Sequence, residues 1–74
     1  MLIKSAADLG GLVRKARHQQ GMTQTQLAGA TGTGLRFIVD LEKGKPTCEI
    51  EKALNVAMML GIKISAAEPP PEQD

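Results

Sequence analysis

The sequence predicts an all-α bundle of four to five short helices followed by a short C-terminal strand. Three observations point there. Apolar residues recur at helical spacing in several short stretches, each bracketed by a capping residue and a glycine. There is one Phe and no Tyr or Trp, so the core must be aliphatic, which suits a small helical bundle better than a sandwich. Only Ile62, Lys63, Ile64 and Ser65 alternate apolar and polar, the period of a strand.

Leu2 and Ile3 form an apolar lead-in, too short to define an element. Ser5 is a candidate N-cap, with Asp8 three residues on as an acidic variant of the capping box. Helix one is expected over residues 6–20, with Leu9, Leu12, Val13 and Ala16 on its apolar face and Gly21 ending it. Thr23 and Gln26 form the capping box of a second helix, which buries Leu27 and Ala28. Thr31, Gly32, Thr33 and Gly34 favour a turn over continuation. A third helix runs over residues 35–43, with Ile38 and Leu41 facing inward, until Gly44 and Pro46 stop it. Thr47 is expected to cap helix four, whose positive N-terminal end Glu49 and Glu51 suit. Its buried stripe is expected to be Ile50, Ala53, Leu54, Ala57 and Met58, closed by Leu60 before Gly61. A lone strand over residues 62–65 needs a partner, either Leu2 and Ile3 or the same strand of a second chain. The proline-rich stretch AAEPPPEQD reads as a flexible tail.

Two short helices meeting at a steep angle around a Gly-containing turn describe a helix-turn-helix, whose second helix enters a DNA major groove. The residues MTQTQLA, then the turn, then FIVDLEKGK, resemble the Xre/Cro family of phage-repressor-type DNA-binding domains. The similarity covers roughly Ala7 to Ile64, and the implied fold is a lambda-repressor-like bundle. LEKGKPT, followed by an amphipathic helix ending in LGIKI, resembles the HipB-like antitoxin branch. The expected organisation is a lead-in over residues 1–5, a helix-turn-helix domain over 6–61, a dimerisation strand over 62–65 and a tail over 66–74.

The resemblance implies a set of DNA-facing residues. Glutamine at the place of Gln24 contacts a phosphate in the family, and its side-chain amide beside the exposed N–H groups of a helix start is suited to an anion; the plainer reading is that it extends the cap. Thr33, Gly34, Leu35, Arg36, Val39 and Asp40 fall on the turn and on the base-reading positions of helix three. Arg36 is the strong reader among them, able to make bidentate bonds to guanine. Leu35 and Val39 offer only apolar contact, Gly34 replaces a polar residue, and Asp40 repels phosphate unless it accepts from cytosine or pairs with a cation. Lys43 and Lys45 follow helix three as candidate phosphate contacts. Arg17 and Glu42 resemble a structural ion pair of the family, tying helix one to the end of helix three. Arg14 and Lys15 read as solvated-face charges outside the site. Phe37 is read as packing at the corner of helices two and three, with stacking on bases as its alternative. Cys48, at the start of helix four, is either an inert small residue or a redox-sensitive thiol. One of Met58 and Met59 is expected in the core and the other, with Val56, on a dimer surface, alongside Ile62 and Ile64 of the strand.

Composition excludes other classes. Seventy-four residues hold one small domain. A core this small makes dimerisation expected. The net charge is only +1, so DNA affinity must come from a local basic surface. The basic residues Lys4, Arg14, Lys15, Arg17, Arg36, Lys43 and Lys45 come early, and Glu49, Glu51, Glu68, Glu72 and Asp74 come late. One Cys and one His exclude an intrachain disulfide and a zinc finger, and no metal or cofactor is expected. No apolar run has membrane-spanning length and no signal peptide is evident, so a cytoplasmic protein is expected. No nucleophile–base set is present, so catalysis is not expected. The resemblance implies a repressor that binds a palindromic operator as a homodimer. Its HipB-like part implies an antitoxin that regulates its own operon and neutralises a HipA-like serine/threonine kinase toxin. A stand-alone phage-type regulator and a protein-binding adaptor without DNA contact are the alternatives.

Overall fold

The computed structural model describes residues 2–66. They form four helices: α1 (Ala6–Gln19), α2 (Gln24–Thr31), α3 (Leu35–Glu42) and α4 (Ile50–Met59). The expected all-α architecture is present with four helices rather than five. No strand forms among the described residues. Among the described residues the segment 62–65 has no ladder partner, neither Leu2 and Ile3 nor any other, and one strand is not stable alone. Of the expected tail, residues 67–74 lie outside the described part, as does Met1.

The caps show why the helices begin and end where they do. Ser5 Oγ accepts from the Asp8 N–H at 3.1 Å, as expected, but the Asp8 carboxylate reaches one residue further back and accepts from the Lys4 N–H at 2.8 Å. The α2 capping box is complete: the Gln26 N–H donates to Thr23 Oγ1 at 3.0 Å, and the Thr23 N–H donates to Gln26 Oε1 at 2.8 Å. Gly34 caps α3 without a side chain. The expectation that Thr47 caps α4 is not met. Pro46 and Thr47 form a turn, and the helix starts two residues later with Glu49 as its N-cap and no side-chain capping bond. At the end of α3 the Gly44 N–H donates to the Leu41 carbonyl and the Lys45 N–H to the Asp40 carbonyl, each at 3.0 Å. This Schellman closure needs the left-handed backbone that Gly44 adopts (φ 80°).

Leu27, Ile38, Leu41, Val13 and Val56 are the largest fully buried side chains. Leu9, Ala28, Ala53, Ala57 and Leu60 complete the core, with Ala16, Met22, Phe37, Cys48 and Ile62 packed partly against it. α3 packs on both α1 and α2, and α4 closes the other side against α2. The Gln20 side-chain amide donates to the Leu60 carbonyl at 2.8 Å and joins the C-terminal ends of α1 and α4.

The expected stripe of α4 is met in part: Ala53, Ala57 and Leu60 are buried, but Ile50, Leu54 and Met58 are not. Ala53, Val56, Ala57 and Leu60 face the core, whereas Ile50 is 67% exposed and Met58 72%. Val56, expected on a dimer surface, is fully buried, and neither Met58 nor Met59 enters the core. Apolar residues cover more than half the circumference of this helix, so periodicity alone fits two adjacent stripes. Packing against α2 chose the one built from small residues. The other, Ile50, Leu54 and Met58 at spacings of four, is left outward.

Candidate nucleic-acid interface

The turn between α2 and α3 is held by its own short side chains. Thr31 Oγ1 donates to the Leu27 carbonyl at 2.8 Å and lies 3.0 Å from Thr33 Oγ1, and the Thr33 N–H bonds the Ala28 carbonyl at 3.1 Å. This closure aims α3 so that Ile38 and Leu41 are buried while Gly34, Leu35 and Arg36 project away from the core. The Arg36 side chain is 87% exposed. Val39 is half-buried behind it.

Of the two ways open to Asp40 on sequence grounds, the structure shows pairing with cations. Arg36 Nε lies 3.4 Å from Asp40 Oδ1, and Lys45 Nζ lies 3.5 Å from Asp40 Oδ2. The first pair follows from the i, i+4 spacing on a helix. The second follows from the Schellman closure, which folds Lys45 back over Asp40. One carboxylate between two cations leaves this corner of the face net positive.

Beneath it lies a buried polar cluster. Arg17 Nε donates to Glu42 Oε2 at 2.7 Å, and Arg17 Nη2 to Glu42 Oε1 at 2.9 Å. Arg17 Nη1 donates to the Met22 carbonyl at 2.8 Å, so one guanidinium ties α1 to the end of α3 and to the α1–α2 loop. The hydrogen bonds to Glu42 hold the Arg17 pKa above its ordinary value, against the opposing effect of burial. Gln24 joins the cluster: its Nε2 donates to Glu42 Oε1 at 3.3 Å. It therefore stands on a fixed support at the first turn of α2.

Gln24, Val39, Glu42, Lys43, Arg17 and Arg14 line one recess where α1, α2 and α3 meet. Thus Gln24 and Lys43 come together, and Arg36, Asp40 and Lys45 form a neighbouring charged group along α3. Arg14, set aside on sequence grounds, belongs to the recess. The signal that could have found it is its spacing: it lies three residues before Arg17, on the same face of α1. Phe37 packs half-buried against the core, with Lys52 Nζ 5.8 Å from its ring centroid.

A profile of the helix-turn-helix family matches residues 13–66 of the chain. The chain belongs to the Xre/Cro-type helix-turn-helix family. It is a helix-turn-helix transcriptional regulator, in a family that binds DNA and is not an enzyme class. The uncharacterised HTH-type transcriptional regulator y4mF of Sinorhizobium fredii (strain NBRC 101917 / NGR234) is 54% identical over 67 residues, 90% of this chain and 88% of that one. Among solved structures, a HipB–O4 20-mer complex and a HipA–HipB–O2–O3 complex each contain a chain of the same shape. Each has a TM-score of 0.80 over 92% of this helix-turn-helix chain and 96% of the other, at 20% identity. That likeness establishes the shared fold. No helix among the described residues is long and apolar enough to cross a membrane.

The other end of the helix-turn-helix domain carries an apolar groove. Leu2, Ile3, Leu9, Ile50, Leu54 and Ile64 line it with Lys63 and Ser65, and Met58 extends it. Ile64 is 43% exposed there, whereas Ile62 packs partly on the core of its own chain. The lead-in and the segment 62–65 thus flank one groove without pairing as strands.

Proposed function

We propose that this regulator is a cytoplasmic, sequence-specific repressor that binds a palindromic operator as a homodimer. The observation that carries the reading is the outer face of α3: an exposed Arg36 beside Leu35, with the one acidic residue of the face, Asp40, compensated by Arg36 and Lys45. Arg36 reads guanine. Leu35 and Val39 supply apolar contact, and Thr33 and Gly34 let the turn approach the duplex. Gln24, Lys43 and Lys45 face phosphates. The Arg17–Glu42 pair fixes the angle between the helices and touches no DNA.

Fluorescence anisotropy with the duplex upstream of the gene, against a scrambled duplex at two salt concentrations, tests this reading. The native duplex should bind orders of magnitude more tightly, and affinity should fall steeply with salt. Arg36→Ala should reduce the preference for the native duplex by about 5- to 150-fold, from the roughly 1–3 kcal/mol of a bidentate base contact. Its stability should stay within about 0.5 kcal/mol, since the side chain is exposed. Equal, weak binding of both duplexes by the wild-type chain overturns the reading and favours the adaptor alternative.

The apolar groove supports the homodimer. Ile50, Leu54, Met58 and Ile64 form an outward apolar surface next to the segment 62–65, and a two-fold partner presenting the same surface buries both. Pairing of the two 62–65 segments then gives each its missing ladder and sets a half-site spacing of about one helical turn or a multiple of it. Leu54→Glu and Ile64→Asp should each shift sedimentation from dimer to monomer at micromolar concentration. Variants that remain dimeric place the interface elsewhere.

The antitoxin reading is narrower. LEKGKPT and LGIKI support it, as does the shape shared with HipB, which has been solved together with HipA. In this reading the chain regulates its own operon and neutralises a HipA-like kinase. Co-purification with a HipA-like kinase encoded beside it tests the idea. A neighbourhood without such a gene leaves a stand-alone regulator.

A further inference from the structure

We infer that Arg14 belongs to the DNA-backbone surface, completing with Lys43 a two-cation phosphate seat over Gln24. The inference rests on the DNA-binding reading and extends it from the helix-turn-helix onto α1.

The recess draws one donor from each of three helices: Arg14 from α1, Gln24 from the first turn of α2 and Lys43 from the end of α3. Two further charged residues line it, and they cancel. Arg17 and Glu42 form a bidentate pair. Arg17 has two further donors on the Met22 carbonyl and His18 Nε2, so four of its five N–H groups are taken and its charge is committed to Glu42. Arg14 and Lys43 are exposed and have no ion-pair partner among the described residues. The recess is therefore net positive by two charges whose donors are uncommitted.

The first turn of α2 adds to this. Its N-terminal end carries partial positive charge, and Gln24 sits at its first helical position with one amide hydrogen already on Glu42. That bond points the side chain into the recess and leaves the second amide hydrogen for a ligand. An oxyanion there meets a fixed neutral donor flanked by two exposed cations. A phosphodiester of the duplex that α3 enters is the ligand of matching charge and size.

The test is the salt dependence of binding to the duplex upstream of the gene. For a B-DNA duplex the slope of log affinity against log salt is about −0.9 per phosphate neutralised. Arg14→Gln should make the slope shallower by about one and weaken native and scrambled duplexes by the same factor. Arg14→Lys should restore most of the slope. Arg14→Gln with Lys43→Gln should lose more than either alone. Lys52→Gln, which removes a cation on α4 beside Glu49, is the control for net charge. An unchanged slope in Arg14→Gln, or a change no larger than in Lys52→Gln, overturns this inference while the DNA reading stands. A wild-type chain without salt-dependent DNA affinity overturns both.

Discussion

Arg17→Ala is expected to remove about 3–5 kcal/mol of stability, the usual consequence of deleting one partner of a buried ion pair. A chain of 74 residues at about 0.05–0.15 kcal/mol per residue has roughly 4–11 kcal/mol in total. The single substitution therefore takes about a quarter or more of the stability and leaves a chain at the low end largely unfolded. The physical reason lies in what is stranded. The Glu42 side chain is 4% exposed and would keep only the long contact from Gln24, and the Met22 carbonyl would lose its donor. Urea denaturation checks this, as a lower midpoint at unchanged slope. Arg17→Met combined with Glu42→Leu should recover most of the loss, because removing both charges leaves none uncompensated. A loss below about 1 kcal/mol for Arg17→Ala would show that water reaches Glu42 and that the pair behaves as a surface one. Because the Arg17 pKa is raised, its stabilising contribution is present at all pH below the ordinary guanidinium range. It is lost only as pH rises through the folded value, in strong alkali. The guanidinium therefore stays charged throughout the neutral range.

Gly10→Ala is expected to be the other large loss, about 3 kcal/mol, at the upper end of overpacking costs. A Cβ at Gly10 would fall on the Leu41 carbonyl oxygen and lie 3.1 Å from the Glu42 carbonyl oxygen. Both obstacles are backbone, so no side chain can rotate away; α1 or the last turn of α3 must move. At Gly11, one residue on, a Cβ meets nothing within 4 Å. Gly11→Ala should stabilise by about 0.5–1 kcal/mol through helix propensity alone. Thermal melts of the two neighbours should therefore move in opposite directions. The Gly10 variant should also bind DNA less well, because the displaced turn carries Glu42 and Lys43, two walls of the recess. If both variants melt above the wild type, α1 does not cross α3 at Gly10.

The same crossing has a second close point. A Cβ at Gly44 would lie 2.6 Å from Ala7 Cα, so the glycine that closes α3 also admits the first turn of α1. Its sequence signal, a helix stop, was legible; the close approach was not, because it depends on a residue 37 positions away.

Much of the molecule is written locally. Ser5, Thr23 with Gln26, and Gly44 mark helix ends through bonds that span three to five residues, which a reader of the sequence can follow. The amphipathic faces of α2 and α3 were legible for the same reason. So was the Arg17–Glu42 pair, through the family resemblance. Three features were decided only when the helices packed. The inward face of α4 differs in part from the expected stripe because apolar side chains cover two adjacent stripes, and packing against α2 chose between them. The state of Asp40 was open because its second partner, Lys45, reaches it only through the turn made by Gly44. Arg14 reads from sequence as a solvated charge outside the site, because a charge on a helix face takes its meaning from what the other helices bring opposite it, here Gln24 and Lys43. Sequence by itself determined the helices, their ends apart from the start of α4, and the family, since those rest on bonds and periodicities within a few residues. Tertiary structure decided which faces meet and which charges share a recess, since those depend on contacts between residues far apart in the chain.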